Sequence, residues 1–416
     1  MSVINTSIQN NFAVRLLNQE RFFMSTQLKK VADQILHATT WRAGGAPGVV
    51  AIATDRKANI YEGCSGVREL GNSQAMTMDS VMAIFSTTKA ITGTAVMQLV
   101  EEGLLNLSDP AKKYVPEIAH IGVLDGTDAN GKIKTRPPKR DVTILDLMTH
   151  TSGLCYEFFS EEDLKYRTEN EIPTVVSSSP ASIQTVLLHE PGERWTYGVN
   201  IDWLGLIVEK LRGKRLGEVF AERIFDQLEM HDISFSLNDS MRHRRAILHD
   251  RAQDGKLTPL PEMMLPQPPE MDMGGHGLYA SVGEYVKFIR MFLNDGMGTN
   301  GRVLKAETVE FMSKNALPEG LTSGGWTTSI PSLSNAGEFD PGVRKTWGLT
   351  FQRNEEPTSS GRPAGSLMWA GLGNLFYWID RKNGIGGFWG SQILPFQDVA
   401  SYTGFVEFET AVYRFR

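Results

Sequence analysis

Ser86 and Lys89 stand three residues apart in AIFSTTKAITGTAVMQLVEEG, residues 83–103. A serine hydroxyl is a weak nucleophile at neutral pH and needs a base to take its proton. A lysine can be that base when burial or nearby positive charge lowers its pKa. Residues three apart share one face of a helix, so Lys89 could reach Ser86 within a single turn. Met82, Ile84, Phe85, Ala90 and Ile91 give the pair an apolar surround. A Ser-x-x-Lys pair arises by chance about once in a chain of this length. The reading therefore needs corroboration from elsewhere in the sequence.

Three other stretches bear on it. PGERWTYGVN, residues 191–200, puts Tyr197 in a glycine-flanked loop ahead of a helix. A tyrosine beside a lysine can serve as phenolate or proton relay, and can equally be a core aromatic. LMWAGLGN, residues 367–374, runs from Trp369 through Ala370, Gly371, Leu372 and Gly373. Small residues on a strand let an acyl oxygen approach, and a strand N–H there could complete an oxyanion hole; plain packing glycines are the alternative. MGGHGLYAS places His276 in a glycine-rich loop, at the border of a pocket or on the surface. His150, in MTHTSGL, is read as structural, its ring hydrogen-bonded to backbone. Asp202 is read as an early-helix charge that suits the helix N-terminus.

The elements that must position these residues follow from periodicity. Leu28, Val31, Ile35 and Leu36 have helical spacing, and PGVVAIATDR with ANIYEGCSGV reads as a strand hairpin. Ile91, Ala95, Val96, Leu99 and Val100 give the Ser86 segment a helix period that stops at Gly103. VTILDLMTHTSGL reads as a short helix into a turn, and NIDWLGLIVEKLRG as a helix ended by Gly213. SVGEYVKFIRMFLNDG is a third helix, with Ser281 and Glu284 in the places of a capping box. The Pro-, Met- and Gly-rich run from Leu257 to Leu278 is loop. TWGLTFQRN, SLMWAGLGNLFYWIDRKNGIGGFWGSQ with its DRKNG turn, and a final helix close the chain. Strands thus lie at both ends and helices between. The expected architecture is α+β: an antiparallel sheet built from both termini and flanked by helices, plus a mostly helical domain. The expected organisation is an extension over 1–24, a sheet domain from 25–78 and 330–416, and a helical domain over 79–329, with the site at their junction.

Bulk properties narrow the class. The chain has 416 residues, 41% hydrophobic and 22% charged, with net charge -6. An acidic chain whose most basic stretch is the short MRHRRA is a poor nucleic-acid binder, and none is expected as partner. No apolar run approaches the roughly 20 residues of a membrane span. The first residues lack a secretory pattern, so a cytoplasmic location is expected. Cys64 and Cys155 are read as two buried free thiols. The histidines form no H-E-x-x-H, GCSGV lacks the G-x-S-x-G spacing, and no Walker or dinucleotide fingerprint occurs. No metal and no cofactor is expected.

Ser-x-x-Lys near the N-terminus, a tyrosine loop about a hundred residues on and a glycine-bearing strand near the C-terminus resemble the serine β-lactamase and penicillin-binding-protein superfamily. MTHTSGL and VEEGLLNLSDPAKKYVPE resemble stretches common in it. From about Ser25 onward the chain is most similar to the family VIII carboxylesterases and to the statin-pathway acyltransferase, the latter through WTYGVNIDWLG. The resemblance implies Ser86 as acylated nucleophile, Lys89 as the group that keeps Tyr197 or Ser86 deprotonated, and Tyr197 as general base and relay. It implies an oxyanion hole from the Ser86 and Leu372 N–H groups, and Trp369 as a pocket wall. Two departures stand out. Trp369-Ala370-Gly371 replaces the Lys-Thr-Gly or His-Thr-Gly of lactamases and peptidases, which removes the cation for a substrate carboxylate and favours neutral esters. Asn200 lies one residue further from Tyr197 than in the Tyr-x-Asn of class C enzymes; it is kept as a candidate substrate contact.

The function expected is a serine carboxylesterase acting on small or short-chain esters in a pocket walled by the aromatics at 158–159, Trp326, Trp347 and Trp369. Its rivals are an acyltransferase to an alcohol, an amidase or weak β-lactamase, and a non-catalytic ligand-binding module.

Overall fold

The computed structural model describes residues 25–416; the expected extension over 1–24 lies outside them. One antiparallel sheet organises the molecule. Its strands are β1 Gly48–Asp55, β2 Asn59–Gly66, β3 Lys345–Trp347, β4 Gln352–Asn354, β5 Leu367–Gly371, β6 Leu375–Asp380 and β7 Ile385–Gly390, in the order β3-β4-β5-β6-β7-β1-β2. The early hairpin is stitched to the late strands by β1 against β7, with Val50 opposite Gly390 and Ile52 opposite Phe388. β1 is an inner strand, GVVAIATD, buried along nearly its whole length. A continuous apolar run is what a strand covered on both faces requires.

Helices supply both covers. A helix over 25–41 (α1) buries Leu28, Ala32 and Leu36, and the final helix Val399–Phe415 (labelled α6 below) lies on the same face, where the Phe408 ring meets Tyr61 at 5.4 Å and Trp378 at 6.0 Å. The opposite face takes α5, Val282–Leu293, whose Tyr285 ring lies 4.8 Å from Phe388 and 5.2 Å from Tyr377. Tyr377 and Trp378 thus point to opposite covers, as the two-residue repeat of a strand dictates. Between β2 and β3 come α2 Thr88–Glu101, α3 Ile144–Thr149 and α4 Asn200–Arg212. α2 is buried on every side from Thr88 to Leu99, the signature of a central helix rather than a surface one.

Four local expectations change. Ser281 makes no capping hydrogen bond; it ends a strand paired to Val81, and Glu284 instead accepts the His231 N–H at 2.7 Å. TWGLTFQRN is two short strands, because Gly348 turns back to bond Phe351. Cys155 is buried, but Cys64 is exposed, since β2 is an edge strand with one open face. Ser86 precedes the α-helix, in a 3-10 turn of Phe85–Thr87. Among the described residues no helix is long and apolar enough to cross a membrane.

Candidate active site

The Ser86 turn is built under strain. Phe85 has φ +43°, a left-handed conformation that costs a bulky residue about 1–3 kcal/mol and persists only when its surroundings enforce it. Phe85 is buried, and the end of β5 presses on the residue before it. A Cβ on Gly371 would stand 2.5 Å from the Ile84 carbonyl oxygen, so glycine is what lets the strand touch this turn. That contact brings Leu372 to the same cavity wall as Ser86.

Lys89 is wholly buried. Its Nζ donates to Ser86 Oγ at 3.1 Å, to the Tyr156 hydroxyl at 2.8 Å and to the Gly275 carbonyl at 2.7 Å. Three acceptors match the three protons of an ammonium. The rings of Tyr197 and Tyr156 lie 4.6 Å and 5.0 Å from the same nitrogen, which partly offsets its desolvation. Burial nevertheless lowers the lysine to about 7, with buried Asp202 pulling the other way. When Nζ loses a proton, only the hydroxyl partners can turn and donate to it; Gly275 offers no proton. Tyr156 holds its own proton firmly, because burial pushes its phenol well up. Ser86 and Tyr156 are thus the two hydroxyl donors open to a neutral Lys89.

Tyr197 also meets Ser86. Its hydroxyl accepts the Trp369 indole N–H at 2.8 Å. Burial raises its phenol, while hydrogen bonds from Ser86 and Trp369 oppose the rise. The net direction disfavours a resting phenolate and leaves a neutral phenol suited to relay. Asn200 is not brought to the pocket. Its amide donates to His150 Nδ1 at 2.9 Å and to the Leu154 carbonyl, and its oxygen accepts from Ser152. His150 is thus structural, held by a side chain and not by backbone as expected; burial keeps it neutral. His276 does reach the pocket wall. Asp202 does stand in the first turn of α4, as expected, but it is fully buried there and accepts the Gly275 N–H at 2.7 Å. Burial lifts its carboxyl to about 6, against the pull of Lys89.

Ser86 opens into a cavity of about 620 Å³, mouth included. Phe158, Phe159, Trp326 and Trp369 line it as expected, and Phe339 and Phe396 join them from distant parts of the chain. Trp347 does not line it; that indole is fully buried, donates to the Met148 carbonyl and packs edge-on against Trp369. Among the described residues, no Lys, Arg, Asp or Glu lines the wall. Sequence reading missed Tyr156, whose contact with Lys89 spans 67 positions. It also missed the burial of Asp202. A signal for the latter existed: Gly205 inside a helix and the Gly274-Gly275 pair mark two backbones in close approach.

Residues 29–405 match the family described as Beta-lactamase. The chain belongs to the beta-lactamase family. Within that family it is 32% identical over 379 residues to the lovastatin esterase of Penicillium rubens, covering 84% of this chain and 90% of the relative. It is 27% identical over 384 residues to the monacolin J acid methylbutanoyltransferase of Aspergillus terreus, covering 88% and 91%. A solved simvastatin synthase from Aspergillus terreus, the LovD6 mutant, superposes with TM-score 0.80 at 26% identity over 92% of this chain and 94% of that one. The beta-lactamase-family assignment carries the fold and a serine enzyme of the hydrolase and acyltransferase kind. Of the two relatives compared above by sequence, one is named an esterase and the other a methylbutanoyltransferase.

Proposed function

We propose that the protein is a carboxylic ester hydrolase working through a Ser86 acyl-enzyme. The observation that carries this reading is the buried Lys89, held on Ser86 Oγ at 3.1 Å and lowered to about 7 by its burial. Neutral Lys89 takes the hydroxyl proton as Ser86 Oγ bonds to the ester carbonyl carbon. The backbone N–H groups of Ser86 and Leu372 receive the oxyanion. Tyr197 gives its proton to the departing alkoxide and recovers one from Lys89. The Trp369 N–H on its oxygen steadies the charge that Tyr197 carries in passing. Water then adds to the acyl carbon, the bond to Oγ breaks, and the acid leaves.

The cavity supports neutral, apolar substrates. Trp369 spends its indole N–H on Tyr197, and among the described residues no cation stands on the wall to bind a carboxylate. Short-chain p-nitrophenyl esters are expected to exceed a cephalosporin carrying a free carboxylate by at least about 100-fold in kcat/KM, the scale of an unpaired charge in an apolar site. Steady-state kinetics on both measure it; comparable values would favour the lactamase reading. A second reading, acyl transfer to an alcohol, draws on the relative named as a methylbutanoyltransferase.

A further inference from the structure

Arg362 stands five residues before β5 and is 1% exposed. Burying a guanidinium is costly unless carboxylates meet it. Arg362 has two. Its Nη1 donates to Glu409 Oε1 on α6 at 3.2 Å, and its Nη2 donates to Asp340 Oδ2. The Glu409 bond ties the sheet to its covering helix. The Asp340 bond holds a loop instead. Asp340 has φ +42°, a left-handed conformation that a non-glycine residue keeps where its surroundings enforce it. Buried Lys345 grips the same turn: its Nζ donates to the Asp340 and Val343 carbonyls at 3.1 Å and 2.8 Å and pairs with Glu338 at 2.7 Å. The residue between Glu338 and Asp340 is Phe339, which lines the Ser86 cavity. Trp326 is tied to the same loop, its N–H donating to the Gly337 carbonyl at 2.9 Å and its carbonyl accepting the Gly337 N–H at 3.1 Å. The Trp326 and Phe339 rings lie 5.0 Å apart. With three other rings of the wall they make a closed circuit of contacts. Tyr197 lies 6.2 Å from Phe159, Phe159 lies 6.2 Å from Trp326, Phe339 lies 5.8 Å from Trp369, and Trp369 lies 4.8 Å from Tyr197. All five line the cavity.

We propose that Arg362, acting through Asp340, positions Phe339 and Trp326 and so sets how bulky a leaving alcohol the site admits. The inference rests on the acyl-enzyme reading above. In that reading Tyr197 gives its proton to the departing alkoxide, so the alcohol half of the ester lies beside Tyr197. The neighbours of Tyr197 in the circuit are Phe159 and Trp369, and the two loop rings bridge these neighbours. A loop released from Arg362 lets both rings shift together, because Gly337 couples them, and room opens on the alcohol side. Arg362 and Asp340 do not line the cavity; they are positioning residues. Holding α6 to the sheet requires Glu409 alone, so the Asp340 arm can be removed without cutting that tie.

The test holds the acyl group fixed and varies the alcohol. Released acid is titrated at constant pH from benzyl butyrate and from 1-naphthylmethyl butyrate, whose alcohols are chemically alike and differ in bulk. Benzyl acetate and benzyl hexanoate report on the acyl side. Asp340→Gly removes the carboxylate, suits the left-handed turn and leaves Arg362 its Glu409 partner. It is expected to raise the kcat/KM of the naphthylmethyl ester relative to the benzyl ester about tenfold, the scale of a hydrophobic wall moved by one carbon, and to do so through KM. The hexanoate-to-acetate ratio is expected to stay unchanged. Asp340→Asn, which keeps an oxygen for Arg362, is expected to return the alcohol ratio most of the way to wild type. Phe339→Ala opens the same wall independently and is expected to move the alcohol ratio in the same direction. An unchanged alcohol ratio in the variants that fold, an acyl ratio that moves with it, or an Asn variant no closer to wild type than Gly would overturn the inference alone. No adduct on Ser86 in the wild type would overturn it together with the acyl-enzyme reading.

Discussion

In the proposed mechanism the chemistry turns on Lys89, and its titration has a definite sign. Burial favours the neutral amine, so the base is present above about pH 7 and lost below it. The kcat/KM for a neutral ester is expected to rise with pH and reach half its plateau near 7. Asp202 works against the lowering, and Tyr156, Tyr197, His150 and His276 surround the same nitrogen. Asp202→Asn keeps an acceptor for the Gly275 N–H but removes the negative charge. Its pH profile is expected to shift its limb to lower pH; an alkaline shift or a fixed limb would mean that Lys89 is not the titrating base. Lys89 and Ser86 were legible in the sequence because their partnership is local, three positions within one turn. Tyr156 was not, because nothing short of the folded turn after His150 tells which aromatic of CYEFF points at a lysine 67 positions away.

Two elements make the site, the α2 turn and the end of β5, and they meet at Gly371. Any side chain there collides with the Ile84 carbonyl at 2.5 Å and must push the strand away from the nucleophile. Gly371→Val is expected to cost about 1–3 kcal/mol of stability, as overpacking does, and to lower kcat more than that loss explains by drawing Leu372 away from Ser86. Thermal unfolding and kcat on the same preparation separate the two effects; a destabilised variant with wild-type kcat would remove Leu372 from the oxyanion site. The strand and its small residues could be read from LMWAGLGN, since a short apolar run and its glycines are local signals. The capping box at Ser281 and Glu284 could not be trusted in the same way. Its spacing was right, but a neighbouring strand claimed Ser281 and the His231 N–H claimed Glu284.

At the scale of the whole molecule, the sheet joins both ends of the described chain, and the cavity collects side chains from positions 85 to 396. The antiparallel α+β plan was legible because β1 and β2 carry strand patterns before the helices, and β3 to β7 carry them after. The roles of Asn200, Trp347 and Asp202 were not, because each sits one layer behind the pocket, where packing alone decides whether a polar or aromatic group faces substrate. On the reading proposed above, all of these layers serve one event, the transfer of an acyl group to Ser86 Oγ. The measurement that tests it most directly is intact-mass spectrometry after brief mixing with p-nitrophenyl butyrate, in wild type and Ser86→Ala, with a fluorophosphonate probe alongside. The account requires a stoichiometric butyryl adduct and ester turnover in the wild type, both lost in the alanine variant. A wild-type protein that turns over no ester and takes no adduct from either reagent, or an adduct that survives Ser86→Ala, would contradict it.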